Sequence, residues 1–200
     1  MSREGNTPTD RPLNQEKAAV SGLPNRATPF FNHECLLTEV ATALLDPYVS
    51  VITITGPAGI GKTALAVEVA YRLTDKDAFE GGVVWLYCRN HRDSSDLLRA
   101  AESQLYGTKS GSLDGIPPAG GSVSERVTAL LRSRRCLLVL DGLDEMPEDR
   151  DIVGFLGRIT PPGKVLITSR APLGLRGQER IFELEGLSQV ESRKLIEALA

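Results

Sequence analysis

The stretch GPAGIGKT, residues 56–63, follows directly on SVITIT, residues 50–55, and runs straight into KTALAVEVAYRLT, residues 62–74. A reverse turn needs one or two glycines and no lysine at a fixed offset behind them. SVITIT is β-branched and mostly apolar, the composition of a parallel strand buried on both faces. The residues from Lys62 to Thr74 read as a helix. The chain therefore has to pass from strand to helix through a glycine loop, in the pattern G-x-x-x-x-G-K-S/T, with Gly56, Gly61, Lys62 and Thr63 in place. Gly56, Gly59 and Gly61 free the backbone for conformations closed to other residues and let its N–H groups turn inward. Those donors, with the positive end of the helix behind them, suit a multiply charged phosphate chain. The expected phosphate-binding stretch is Gly56, Pro57, Ala58, Gly59, Ile60, Gly61, Lys62, Thr63 and Ala64. Lys62 supplies a point charge for the β- and γ-phosphates, and the Thr63 hydroxyl is a Mg²⁺ ligand.

The rest of the chain repeats the strand and helix alternation. HECLLTEVATALLD (33–46) carries Leu36, Leu37, Val40, Ala43 and Leu44 at helical spacing and ends at Asp46-Pro47. GGVVWLYC (81–88), CLLVLD (136–141), KVLITS (164–169) and RIFELE (180–185) read as strands. Helices are expected over 94–107, which starts at a Ser/Asp cap and stops at Gly107, and over 124–133, 151–159 and 188–200. Residues 107–122, with five glycines and two prolines, read as a flexible loop. There is no internal repeat. Such alternation means βαβ units and an α/β fold with a parallel sheet covered on both faces. Residues 1–27 are polar and carry Pro8, Pro12 and Pro24, so they read as a disordered tail or linker ahead of a nucleotide-binding domain over 28–200.

A phosphate loop binds; the next step needs other groups. CLLVLDGLDE ends a buried apolar strand in Asp141, at the carboxyl edge where open α/β sheets hold ligands. A carboxylate there joins Thr63 as a Mg²⁺ site. Asp144 and Glu145 follow, and either can orient or deprotonate a water for attack on the γ-phosphorus. KVLITSR ends another strand in Thr168, Ser169 and Arg170, which places an arginine within reach of a γ-phosphate. The alternative for Arg170 is a surface ion pair.

Composition bounds the partners. The 200 residues are 41% hydrophobic and 24% charged, with a net charge of -3. No whole-chain basic field favours nucleic acid or an acidic membrane. No apolar run approaches the roughly 20 residues that span a bilayer, and the N-terminus has no apolar core of a secretory signal. Cys35, Cys88 and Cys136 are widely spaced and odd in number, a reduced, cytoplasmic pattern without a metal cluster. Trp85 reads as core or sheet edge, and Cys136 as apolar packing. Arg132, Arg134 and Arg135 read as solvated charges at a helix C-terminus, and His91 as a residue without a nameable partner. No Asn/Thr-Lys-x-Asp stretch is present to read guanine.

GPAGIGKTALA, FEGGVVWLYC, LLVLDGLDE, VLITSR and FELEGLSQVESRKLI, in this order over about residues 29–200, resemble the nucleotide-binding core of the STAND signal-transduction ATPases, the NB-ARC and NACHT group. The added acids after Asp141 are nearer to NACHT than to plant NB-ARC proteins. The resemblance implies a three-layer P-loop NTPase sandwich with five parallel strands in the order 5-1-4-3-2. It implies an ATP/ADP switch, slow Mg²⁺-dependent hydrolysis and a homo-oligomer controlled by the nucleotide state. It gives Arg170 the γ-phosphate sensor role. It also implies further C-terminal domains beyond this chain, in which case hydrolysis by the chain alone is weak. FFNHE (30–34) departs from the family's FVGRE, so no adenine contact carries over to Phe31, Asn32 or His33. The competing expectations are an AAA+-like motor or loader ATPase, with an arginine supplied by a neighbouring subunit, and a module that binds nucleotide without turning it over.

Overall fold

Strands that are apolar on both faces need helices on both sides, and this requirement organises the molecule. The computed structural model describes residues 20–26, 34–108, 121–146, 150–175, 177–186 and 197. In chain order the elements are β1 (Val20–Ser21), α1 (Glu34–Leu45), β2 (Val51–Thr55), α2 (Lys62–Asp75), β3 (Val83–Tyr87), α3 (Ser94–Gly107), α4 (Val123–Arg134), β4 (Leu137–Asp141), α5 (Arg150–Leu156), β5 (Lys164–Ser169) and β6 (Glu179–Glu183). Short 3-10 turns over Cys88–Asn90 and Leu143–Glu145 follow β3 and β4.

The sheet order is β1-β3-β4-β5-β2-β6, with every pairing parallel. Five of these strands stand in the expected order 5-1-4-3-2. Along β4 the side chains alternate between two cores. Leu138 and Leu140 join the cluster with Leu97, Leu130 and Phe155 of α3, α4 and α5. Leu137 and Val139 join the cluster with Leu44 of α1 and Leu65 and Leu73 of α2. A continuous apolar run thus still obeys the two-residue period of a strand.

Local chemistry sets the helix starts. The Asp93 side chain accepts from the Asp96 N–H at 2.8 Å and caps α3. Ser122 and Glu125 form a reciprocal capping box at α4, with bonds of 2.8 Å and 3.2 Å. The helix α5 ends at Leu156, earlier than the expected residue 159, because Gly157 and the Pro161-Pro162-Gly163 run do not sustain it.

Three expectations are corrected. The expected linker reaches into the sheet at its end: Val20 and Ser21 pair with Val83 and Val84 at the edge of β3. Beyond them the Tyr71 hydroxyl donates to the Pro24 carbonyl at 3.1 Å, and Arg26 stacks 4.5 Å over the Tyr71 ring. Main-chain pairing and an aromatic platform hold this segment where its composition alone promised little. Arg134, expected to be solvated, is 7% exposed. His91 has a partner, its Nδ1 lying 3.4 Å from an Asp96 carboxylate oxygen. Trp85 and Cys136 are buried as expected. Phe31, Asn32 and His33, residues 109–120 of the glycine-rich loop and all but Glu197 of the last expected helix lie outside the described residues. Among the described residues no helix is long and apolar enough to cross a membrane.

Candidate functional site: a phosphate loop and an acidic strand edge

The strands β2, β3, β4 and β5 deliver polar residues to one edge of the sheet. Tyr87 is the register partner of Asp141, and Thr55 that of Ser169, so the carboxyl ends finish level. The resulting cleft has a volume of about 550 Å³. Its walls include Gly59, Gly61, Lys62 and Thr63 from the loop, Asp141 at the end of β4, and Asp144 and Glu145 beyond it.

The loop backbone takes the conformations that the glycines were expected to allow. Gly56, Gly59 and Gly61 have φ of 147°, 76° and 111°. At Gly56 the fit is also steric, since a Cβ would lie 2.7 Å from the Leu184 carbonyl oxygen. The first bond of the α2 ladder runs from the Leu65 N–H to the Gly61 carbonyl at 2.9 Å. The amides of Lys62, Thr63 and Ala64 therefore precede the ladder and are available as donors to an anion. The Lys62 ammonium reaches back over the loop and donates to the Gly56 and Pro57 carbonyls at 2.8 Å and 2.9 Å.

Asp141 is the meeting point of three elements. It is 8% exposed. Its Oδ1 accepts from the Thr63 hydroxyl at 2.8 Å and from the Thr168 hydroxyl at 2.6 Å. Thr168 accepts in turn from the Gly142 N–H at 2.7 Å. A buried carboxylate with two hydroxyl donors is held in one orientation. This hydroxyl and carboxylate pair is a hard oxygen donor set that fits Mg²⁺, an ion that takes few protein ligands when phosphates supply the others. Among the described residues no group of three or more His, Cys, Asp or Glu side chains could hold a metal ion.

The acids that follow are separated by their partners. Gly142 turns with φ of 74°. A Cβ there would lie 3.2 Å from the Glu145 side chain, so glycine is what lets Glu145 fold back over the turn. Asp144 faces Arg170: its carboxylate accepts from the Arg170 backbone N–H at 3.0 Å and pairs with Arg170 Nε at 2.9 Å. Glu145 makes no ion pair among the described residues. Their combined field reaches Cys88 behind β3. Burial first, and then the charges of Asp141, Glu145 and Asp144, push its thiol up to about 12. Tyr87 is raised in the same sense, by burial and then by Asp141, against the opposing charge of Arg89.

The structure thus brings Lys62, Thr63, Asp141, Asp144, Glu145 and Arg170 to one cleft, with Ala58, Gly59, Gly61 and Ala64 of the expected loop around it, whereas Gly56, Pro57 and Ile60 do not line it. Sequence reasoning missed Thr168 as the second anchor of Asp141, and it missed Tyr87, Arg89, Pro24 and Asn25 as cleft residues. The signal for three of them was available. Thr168, Tyr87 and Arg89 stand at or just past the carboxyl end of a parallel strand, where such sheets place ligands.

Comparison with known proteins gives one family and a consistent fold. A family model of the NACHT domain matches residues 50–199. Transcription activator GutR of Bacillus subtilis (strain 168) is 27% identical over 206 aligned residues, which cover 98% of this chain and 24% of GutR. A crystal structure of a signal transduction ATPase with numerous domains, a STAND protein with a tetratricopeptide repeat sensor from Pyrococcus horikoshii, superposes with a TM-score of 0.65 at 18% identity. That match covers 92% of this chain and 27% of the archaeal one. The Aeropyrum pernix ORC1 protein, solved in complex with DNA, superposes with a TM-score of 0.60 at 21% identity, over 86% of this chain and 50% of that protein. The chain spans about a quarter of the length of GutR and of the STAND protein.

Proposed function

The chain belongs to the NACHT domain family, within the STAND-class P-loop NTPases, and from that premise we propose that this nucleotide-binding module is an ATP/ADP switch that hydrolyses ATP slowly with Mg²⁺. Nucleotide binding follows from the family. The finer reading rests on one observation, the 2.8 Å bond between Thr63 Oγ1 and Asp141 Oδ1. It joins the loop that would hold the phosphates to the strand edge that carries the acids.

In this reading the amides of the loop and Lys62 bind the β- and γ-phosphates. Thr63 and Asp141 would hold Mg²⁺, which neutralises phosphate charge when bound. Thr168 fixes the carboxylate that does so. Glu145 is the general base that orients the attacking water and accepts its proton, because the Arg170 backbone N–H holds the Asp144 carboxylate whatever the Arg170 side chain does. Arg170 is the group that responds to the γ-phosphate, exchanging its pairing with Asp144 for the ligand's charge. That exchange would tie the nucleotide state to the shape of the cleft mouth, and through it to assembly of a homo-oligomer. The likeness to GutR, a transcription activator of which this chain spans 24%, supports placing the switch in a regulatory protein.

The test is Glu145→Gln, a substitution that keeps shape and removes the base. ATP affinity should stay within about twofold while turnover falls by roughly two to four orders of magnitude. Light scattering should show the ATP-loaded variant shifted toward the larger species. Unchanged turnover would remove Glu145 as base. Unchanged assembly with ATP retained would leave a module that binds nucleotide without switching.

A further inference from the structure

Two arginines flank the acids of the cleft. Thr168 bonds to Asp141 from the β5 side, and Arg170 lies two residues beyond it. Tyr87 is the register partner of Asp141 on the β3 side, and Arg89 lies two residues beyond that. Both arginines line the same cleft. Their situations differ. Arg170 is paired with Asp144. The Arg89 guanidinium stacks 5.4 Å over the Tyr87 ring, and it has no carboxylate partner among the described residues. It sits on the turn Cys88–Asn90, which packs against the turn Leu143–Glu145 that carries the acids.

We propose that Arg89 is a catalytic residue for the hydrolysis described above, an arginine supplied by the chain itself to the terminal phosphate. The inference rests on that switch reading. Hydrolysis forms a bond between the water oxygen and the γ-phosphorus. The bond from the γ-phosphorus to the bridging oxygen breaks, its electron pair leaves with ADP, and the water's proton passes to Glu145. Charge spreads over the equatorial oxygens as this happens, and a planar guanidinium is suited to meet it. Stacking on Tyr87 limits the rotamers of a long side chain at the cleft mouth, and so reduces the ordering that contact with phosphate would otherwise require. Such an arginine discriminates between the transition state and the ground state, and between ATP and ADP. The loop amides and Lys62 discriminate less, because ADP keeps the β-phosphate that they also hold.

The test compares the unsubstituted protein with Arg89→Ala and Arg89→Lys. Arg89 is exposed, so neither substitution removes core packing. Single-turnover hydrolysis of radiolabelled ATP should fall by about a thousandfold in Arg89→Ala, the scale of an arginine at a phosphoryl-transfer site. Retention of ADP with aluminium fluoride, which mimics the planar transferring group, should be lost. ADP affinity should stay within about twofold. Arg89→Lys should restore little, since a point charge lacks the planar fork. Equal turnover and equal aluminium fluoride retention in Arg89→Ala would overturn the inference and leave the switch reading standing. An equal loss of ADP and ATP binding would also overturn it, by making Arg89 a ground-state contact. Absence of ATP binding and turnover in the unsubstituted protein would remove both.

Discussion

Lys62 and Asp141 show how single charged groups are held ready. Among the described residues the Lys62 ammonium pairs with no acid and donates instead to two carbonyls of its own loop. Carbonyls are neutral acceptors, and a polyphosphate is a far stronger one. Lys62→Ala should therefore weaken ATP binding by roughly tenfold to a hundredfold, the range of one or two lost charge-assisted bonds. Titration with a fluorescent ATP analogue reads this, and an unchanged dissociation constant would sink the phosphate-loop assignment. Asp141 is handled differently. Two hydroxyls fix its Oδ1 from neighbouring elements, so its position is set by packing rather than by a counter-charge. Asp144 and Glu145 are adjacent in sequence, yet among the described residues Asp144 alone of the two pairs with an arginine.

The helix α4 illustrates which interactions hold an element in place. Its start is defined by the Ser122 capping box and its inner face by Val127, Leu130 and Leu131, all fully buried. The two devices differ in size. Ser122→Ala should destabilise the protein by about 1 kcal/mol, the usual effect of losing a cap. Leu130→Ala should destabilise it by about 2–5 kcal/mol, because it removes buried methyl groups and leaves a cavity. Urea unfolding of the two variants checks the order. A larger effect at Ser122 would mean that the cap, and not burial, positions α4. The same ranking explains why the helices were readable: their apolar faces repeat at helical spacing, and their caps stand at the boundaries. Strand and helix ends shifted by up to three residues from expectation, and α3 and β5 by none, because the last turn depends on neighbours rather than on propensity alone.

The sheet as a whole divides the thiols into two classes. Cys88 and Cys136 are buried, and burial pushes them up to about 12 and about 11 respectively. Cys35 is exposed on α1. Near neutral pH the native protein should therefore be alkylated at Cys35 alone, and unfolding should release the other two. Peptide mass spectrometry after a timed pulse of iodoacetamide gives the answer. Prompt labelling of Cys88 would show that the β3 end opens readily and that the acids beside it are not held as described.

The α/β class, the glycine loop, the buried strands and the acids after Asp141 were legible because each is a local pattern, repeated within a few residues. The strand order came from the resemblance, since periodicity says nothing about which strands pair. What escaped was set by distance along the chain. Thr168 and Asp141 are 27 residues apart, whereas Thr63 and Asp141, 78 apart, were expected together because each ends a recognisable pattern. No local pattern says that a second hydroxyl, that of Thr168, will meet the same carboxylate, that Asp144 will take Arg170, or that Arg89 will share the cleft. Those choices, like the pairing of Val20–Ser21 with β3, arise when parallel strands finish level and bring their ends together. Propensity and hydrophobic pattern act between near neighbours, whereas a site assembles from groups that only a closed sheet makes adjacent.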